Sequence, residues 1–122
     1  MPSREQMVRA IDEYCRCETQ KDKAGWLALF ADNAKHEDPV GSSNVNIGHA
    51  MLAAFWDAFQ PLDVELWLTQ DVIVCGNEAI ALMKARVTRD GVRMESGTIV
   101  DNFVFDEAGK ITNVRAFHEA RA

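Results

Sequence analysis

The apolar residues of this chain change their spacing about halfway along, from three-and-four to two, and that change does most to limit its fold. Spacing of three and four marks a helix with one buried face; alternation marks a strand with one buried face. In the first half, Met7, Ala10, Ile11, Tyr14 and Cys15 form a helical stripe, preceded by Ser3 and Gln6 at the spacing of a capping box. A short second helix is expected over 24–30, burying Trp26, Leu27 and Phe30. A third is expected from Asn46, carrying Ile47, Met51, Leu52, Phe55, Trp56 and Phe59 toward the core and stopping at Pro61.

Alternation then takes over. Val64, Leu66 and Leu68 alternate with Glu65, Trp67 and Thr69, and Ala79, Ala81, Met83, Ala85 and Val87 share one strand face. Asp90-Gly91 signals a hairpin, Asp106 to Gly109 a further turn, and a last strand is expected over about 110–119. Helices first and strands afterwards give an α+β fold, three N-terminal helices on a curved, mostly antiparallel sheet that encloses an apolar pocket. At 122 residues the chain is long enough for one domain, 1–122, with a core of its own.

The net charge of −6, with no cluster of Lys or Arg, excludes a nucleic-acid partner. No run is apolar enough for a signal peptide or a membrane span, so a soluble, cytoplasmic protein is expected. Cys15, Cys17 and Cys75 include no CxxC pair, and His36, His49 and His118 lack ligand spacing; neither a metal nor a cofactor is expected.

Three polar residues stand where apolar ones are expected. On the strand face Gly97, Ile99, Asp101, Phe103, Phe105, a carboxyl group interrupts an apolar row. Burial there disfavours the charged form, so Asp101 is either a neutral acid in a site, a structural hydrogen-bonding group, or a residue turned out by a bulge. Asp38 precedes Pro39 and Gly41, and by itself reads first as a turn opener, with a group set at a pocket mouth as the alternative. Tyr14, the one tyrosine, lies on the buried stripe of the first helix and needs a partner for its hydroxyl.

Together these segments resemble the ketosteroid isomerase family, of the nuclear-transport-factor-2-like, SnoaL-like fold. The likeness runs through Trp26 to Ala34, through Glu37-Asp38-Pro39-Val40-Gly41, through Gly48 to Phe55, and through Ile99-Val100-Asp101 with the turn from Phe105 to Ile111. The resemblance implies a cone-shaped fold, Asp38 as general base, and Tyr14 and Asp101 as the two donors to an oxyanion. It implies a steroid Δ-isomerase, which moves a β,γ double bond into conjugation with a 3-ketone without a cofactor. A small, flat, apolar substrate suits a lining expected from Leu29, Phe55, Trp56, Val64, Met83, Ile99, Phe103, Val114 and Ala116. The family also implies a homodimer, for which Trp67, Ile80 and Leu82 offer outward apolar surface.

The chain departs from the family at Phe30 and Trp56, where well-studied members carry tyrosines that support the oxyanion tyrosine. It also has His118 at a late-strand aromatic position. His118 shares the parity of Val114 and Ala116 and either faces solvent, the favoured placement, or lines the pocket within reach of Asp38. Two other readings stay open: a related lyase or cyclase using Asp38 with His118, and a module that binds small hydrophobes without turnover. An epoxide hydrolase of this fold needs an arginine between two acids, and Lys84 and Arg86 have the wrong parity.

Overall fold

Ser3 caps the first helix as expected: its hydroxyl accepts the Gln6 N–H, and the Gln6 side chain accepts the Ser3 N–H. The computed structural model describes residues 1–119. It runs α1 (Arg4–Gln20), α2 (Lys23–Ala28), β1 (Phe30–Glu37), β2 (Val45–Ile47), α3 (Gly48–Phe59), β3 (Asp63–Leu68), β4 (Ile73–Cys75), β5 (Glu78–Arg89), β6 (Val92–Glu95), β7 (Ile99–Phe105) and β8 (Ile111–Phe117).

The strands form one sheet in the order β2-β1-β8-β7-β5-β3, with β4 and β6 also paired to β5. All pairs are antiparallel except β1 with β8. The α+β class and the mostly antiparallel sheet agree with the sequence reading. Asp90 and Gly91 both have positive φ, 52° and 78°, as the two-residue β5–β6 turn demands.

Boundaries shift where the sheet competes with a helix. The second helix stops at Ala28, because the Leu29 carbonyl accepts the Ile111 N–H at 2.9 Å and Phe30 becomes the first residue of β1. The third begins at Gly48 instead of Asn46, since 45–47 pair with β1. Its apolar stripe is wider than the face that packs. Leu52 and Trp56 are buried, whereas Ile47, Met51 and Phe59 are 55%, 46% and 43% exposed, against expectation. β1 was not legible as a strand. Its inward residues are Phe30, Ala34 and His36, and a register shift between Phe30 and Lys35 breaks the alternation.

Of the expected inward face of β5, Ala79, Ala81, Met83 and Ala85 are buried and Val87 is half-buried; Trp67 of β3 and Ile80 and Leu82 of β5, on the outward face of the sheet, are half-buried. Helix α1 is fixed across β3 by Thr19, whose hydroxyl accepts the Leu66 N–H at 3.0 Å and donates to the Leu66 carbonyl at 3.2 Å. This aims one side of α1 into the space between helices and sheet. No helix among the described residues is long and apolar enough to cross a membrane.

Candidate active site

An open cavity of 1130 Å³ lies between α1, α3 and the inward face of the sheet, and Tyr14, Asp38 and Asp101 all line it. Three elements distant in sequence bring them together. Tyr14 comes from the buried stripe of α1, Asp38 from the loop after β1, and Asp101 from the middle of β7.

Asp101 stands inward, 4% exposed, as its parity implies; the bulge alternative does not hold. Its cross-strand neighbours are Ala81 on β5 and Ala116 on β8, whose small side chains leave room for a carboxyl in the sheet face. Oδ1 has no hydrogen-bond partner, which also removes the structural hydrogen-bond alternative for that oxygen. Burial pushes its pKa well above the usual carboxylate value, and the charges of Asp38 and Glu18 push it the same way. A neutral carboxylic acid on the wall of a cavity is a hydrogen-bond donor waiting for an acceptor.

Tyr14 is 3% exposed and packs edge-on to Phe103 at 5.1 Å, with Trp26 and Phe30 beside it at 6.0 and 6.3 Å. The indole next to the phenol is therefore that of Trp26. Burial raises the phenol pKa well above its ordinary value, helped first by Glu18 and then by Asp101 and Asp38. Tyr14 stays protonated and able to donate.

Asp38 is held by its backbone. Its N–H donates to the Asn44 carbonyl at 3.1 Å, and its own carbonyl accepts from Asn44 Nδ2 at 2.8 Å. The Val40 N–H donates to the Ala116 carbonyl at 2.8 Å, which ties the loop to β8. The side chain is left partly wet, 25% exposed, at the cavity mouth. His118 is exposed, as in the favoured placement, and yet it also borders the cavity within reach of Asp38. Its Nε2 lies 2.6 Å from Asp38 Oδ1, because β1 and β8 are parallel neighbours and the residues just past their ends emerge side by side. Glu37 points away from Asp38, accepting the Gly41 N–H and pairing with Arg115 at 3.4 Å.

Of the expected lining residues, Phe55, Trp56, Val64, Met83, Ile99, Ala116 and His118 border the cavity. Leu29, Phe103 and Val114 do not. Phe103 and Val114 are a cross-strand pair one step deeper than Asp101 and Ala116, both 0% exposed, and they fill the closed end. Leu29 is taken up in capping α2 and bonding Ile111. Parity gives the face of a strand but not the depth at which side chains replace space. Arg86 bonds Glu65 at 2.9 Å, and neither it nor Lys84 borders the cavity.

Glu18 was missed. It lies one turn after Tyr14 and lines the same cavity. Half-buried by exposure yet ringed by protein atoms, it has its pKa pushed up to about 7, chiefly by burial and then by Asp38. The Tyr14 hydroxyl, the Trp26 indole N–H and Lys21 act in the opposite direction. The signal was present: Met7, Ile11, Tyr14 and Glu18 continue a single three-and-four stripe.

Comparison with known proteins agrees with this fold. The model of the SnoaL-like domain matches residues 11–114. A steroid Delta-isomerase of Nocardioides simplex is 33% identical over 109 residues, covering 88% of this chain and 85% of that protein. Among solved structures, RV0760c of Mycobacterium tuberculosis in complex with estradiol-17beta-hemisuccinate superposes with a TM-score of 0.84 at 25% identity, over 93% of this chain and 94% of that one. An LEH-like epoxide hydrolase of M. tuberculosis shares the fold, with a TM-score of 0.83 at 18% identity over 97% and 86% of the two chains. With the domain model spanning most of its length and a curated relative at that identity, the chain belongs to the SnoaL-like family, on the nuclear-transport-factor-2-like fold, and is a relative of steroid Δ-isomerases.

Proposed function

We propose that the protein is a cofactor-independent steroid Δ5-3-ketone isomerase, with Asp38 as the base and Tyr14 and Asp101 as the oxyanion donors. The observation that carries this is the convergence of a partly wet carboxylate and two buried, protonated donors on one cavity.

Asp38 takes the proton from the carbon between the ketone and the double bond. The C–H electrons move into a dienolate, and the negative charge gathers on the former carbonyl oxygen. The Tyr14 hydroxyl and the Asp101 carboxylic acid donate to that oxygen, both already in place on the cavity wall before the charge develops. Asp38 then returns the same proton two carbons further along, and the conjugated ketone leaves. One carboxylate performs both transfers, which suits a base at the mouth with room to move. Phe55, Val64, Met83 and Ile99 would cover the faces of a flat, apolar substrate. The reaction of the N. simplex relative and the steroid held by RV0760c support this substrate class. The test is to add 5-androstene-3,17-dione and follow the absorbance of the conjugated enone. Tight steroid binding without turnover would instead indicate a binding module.

Replacing Asp101 tests the donor. Asp101→Asn keeps a neutral N–H donor and is expected to retain at least about tenfold more kcat than Asp101→Ala. Equal losses in the two variants would remove Asp101 from the mechanism. A stability effect should accompany it. With a raised folded pKa, the stability contributed by Asp101 is complete below its unfolded value and is lost as pH rises through the folded one. Asp101→Asn is therefore expected to raise Tm relative to wild type increasingly toward alkaline pH, read by thermal melts across that range.

The 2.6 Å contact between His118 and Asp38 favours one second reading, in which the two act as an acid–base dyad on a smaller substrate, as in a lyase or cyclase. Isomerisation through Asp38 alone does not route the proton through the imidazole. On that reading, His118→Ala should cost less than about tenfold in kcat/KM for the steroid. A dyad would lose about 10²-fold or more.

A further inference from the structure

The cavity holds a polar pair that the proposed proton transfers do not use. Glu18 follows Tyr14 by four residues on α1, so the two side chains stack on one helix face, and both open into the cavity. Above them, on α2, the Trp26 side chain is 0% exposed, and its indole N–H favours the carboxylate form of Glu18. A buried N–H without a partner is costly, and the Glu18 carboxyl is the acceptor set beside this one. The bonds from Thr19 to Leu66 fix this stretch of α1, so the stacking is held in place.

We propose that Glu18 is a positioning residue for Tyr14: as an acid it donates to the phenol oxygen and leaves the phenol proton for the ligand, and as a carboxylate it takes that proton for itself. A phenol has one proton to give. When Glu18 is neutral, its O–H can donate to the Tyr14 oxygen, and the chain Glu18 to Tyr14 to ligand runs in one direction, each bond strengthening the next. When Glu18 ionises, the strongest acceptor near the phenol is the carboxylate, and the ligand loses a donor. Glu18 thus does here what a supporting hydroxyl would do, in a chain with Phe30 and Trp56 in place of supporting tyrosines. Unlike a hydroxyl, it does so only while protonated. The upward shift to about 7 brings the change into the neutral range.

The groups that face Glu18 are Tyr14 and Lys21 from its own helix and cap, Asp38 from the loop after β1, and Asp101 from β7. Lys21 is also engaged, donating to the Val64 carbonyl at 3.3 Å and lying 3.8 Å from Asp63. Burial and the charge of Asp38 discourage a charge on Glu18; Tyr14, Trp26 and Lys21 favour it, and Asp101, itself held neutral, adds none. His118 lies against Asp38.

The proposal deepens the reading of Tyr14 as an oxyanion donor, and its test needs no substrate. Tyr14 is the one tyrosine in the chain, so protein labelled with [ζ-13C]tyrosine gives a single resonance that reports the hydrogen bonding of this hydroxyl. In wild type, that resonance should move in one step near neutral pH. In Glu18→Gln the step should vanish and the resonance hold its acid-side position, because the amide still donates to the phenol. Asp38→Asn removes a charge that holds Glu18 protonated, so it should shift the step to lower pH. A wild-type resonance without a step, or a step that survives in Glu18→Gln, overturns the proposal. Should Glu18→Gln fail to fold, the Asp38→Asn comparison decides: a downward shift supports the proposal and an unmoved step overturns it. Turnover adds a separate reading. The alkaline fall in kcat should flatten in Glu18→Gln, whereas absence of any turnover would count against the isomerase reading and leave the resonance to judge Glu18.

Discussion

Asp38→Asn is expected to lower kcat for 5-androstene-3,17-dione by about 10²–10⁴-fold, the usual contribution of a positioned general base. The substitution leaves the loop intact. Both hydrogen bonds that hold residue 38 to Asn44 are made by its backbone, and the amide oxygen still accepts from His118 Nε2. What disappears is the capacity to take a proton from carbon, since an amide is far too weak a base. Steroid binding should stay within about a few-fold of wild type, because the apolar walls are untouched and interactions made equally in ground and transition states survive. The measurement pairs initial rates from enone absorbance with a direct binding titration of 17β-estradiol. A variant that keeps more than a tenth of wild-type kcat would take Asp38 out of the proton transfer.

Tyr14→Phe should cost about 10²–10³-fold in kcat, the typical effect of losing one oxyanion donor. Only the hydroxyl is removed. The ring that packs on Phe103, Trp26 and Phe30 remains, so the fold should tolerate the change. The loss belongs in kcat, with KM little affected, because the bond strengthens as charge moves onto the oxygen. A loss below tenfold would mean that Asp101, or a water admitted to the open cavity, carries the oxyanion without the phenol.

Much of this site was legible before any coordinates, and the reasons are local. Asp101 interrupts a strand face of strict parity, and the structure keeps that parity because β7 pairs on both sides without a bulge near residue 101. Tyr14 lies on a capped helix whose stripe needed no tertiary information. β1 resisted, since its inward signal is one aromatic, one small and one polar-tipped side chain, Phe30, Ala34 and His36, interrupted by a register shift. The hydrogen bonds that make it a strand come from β2 and β8, far away in sequence. Glu18 resisted for another reason. A charged residue near a helix end is normally given to solvent, and only the space left between α1 and the sheet shows that this one faces a cavity. His118 was placed on the right parity, but its contact with Asp38 depends on which strand neighbours β8, which no local pattern states.

The parallel pairing of β1 with β8 has a consequence for how the protein is made. Asp38 and His118 meet although they stand 80 positions apart in the chain, and the loop carrying Asp38 is tied to β8 through Ala116. Synthesis proceeds from the N-terminus, so a nascent chain can form α1 and the β5 hairpin while the gap beside β1 stays empty. Closing so long a loop is the entropically expensive step of assembly, and it falls at the end. Until Ile111–Phe117 slots between β1 and β7, the sheet is in two pieces and the pocket has no rear wall. Completion of the fold and completion of the site are therefore the same event, and no partly made chain would carry a working cavity.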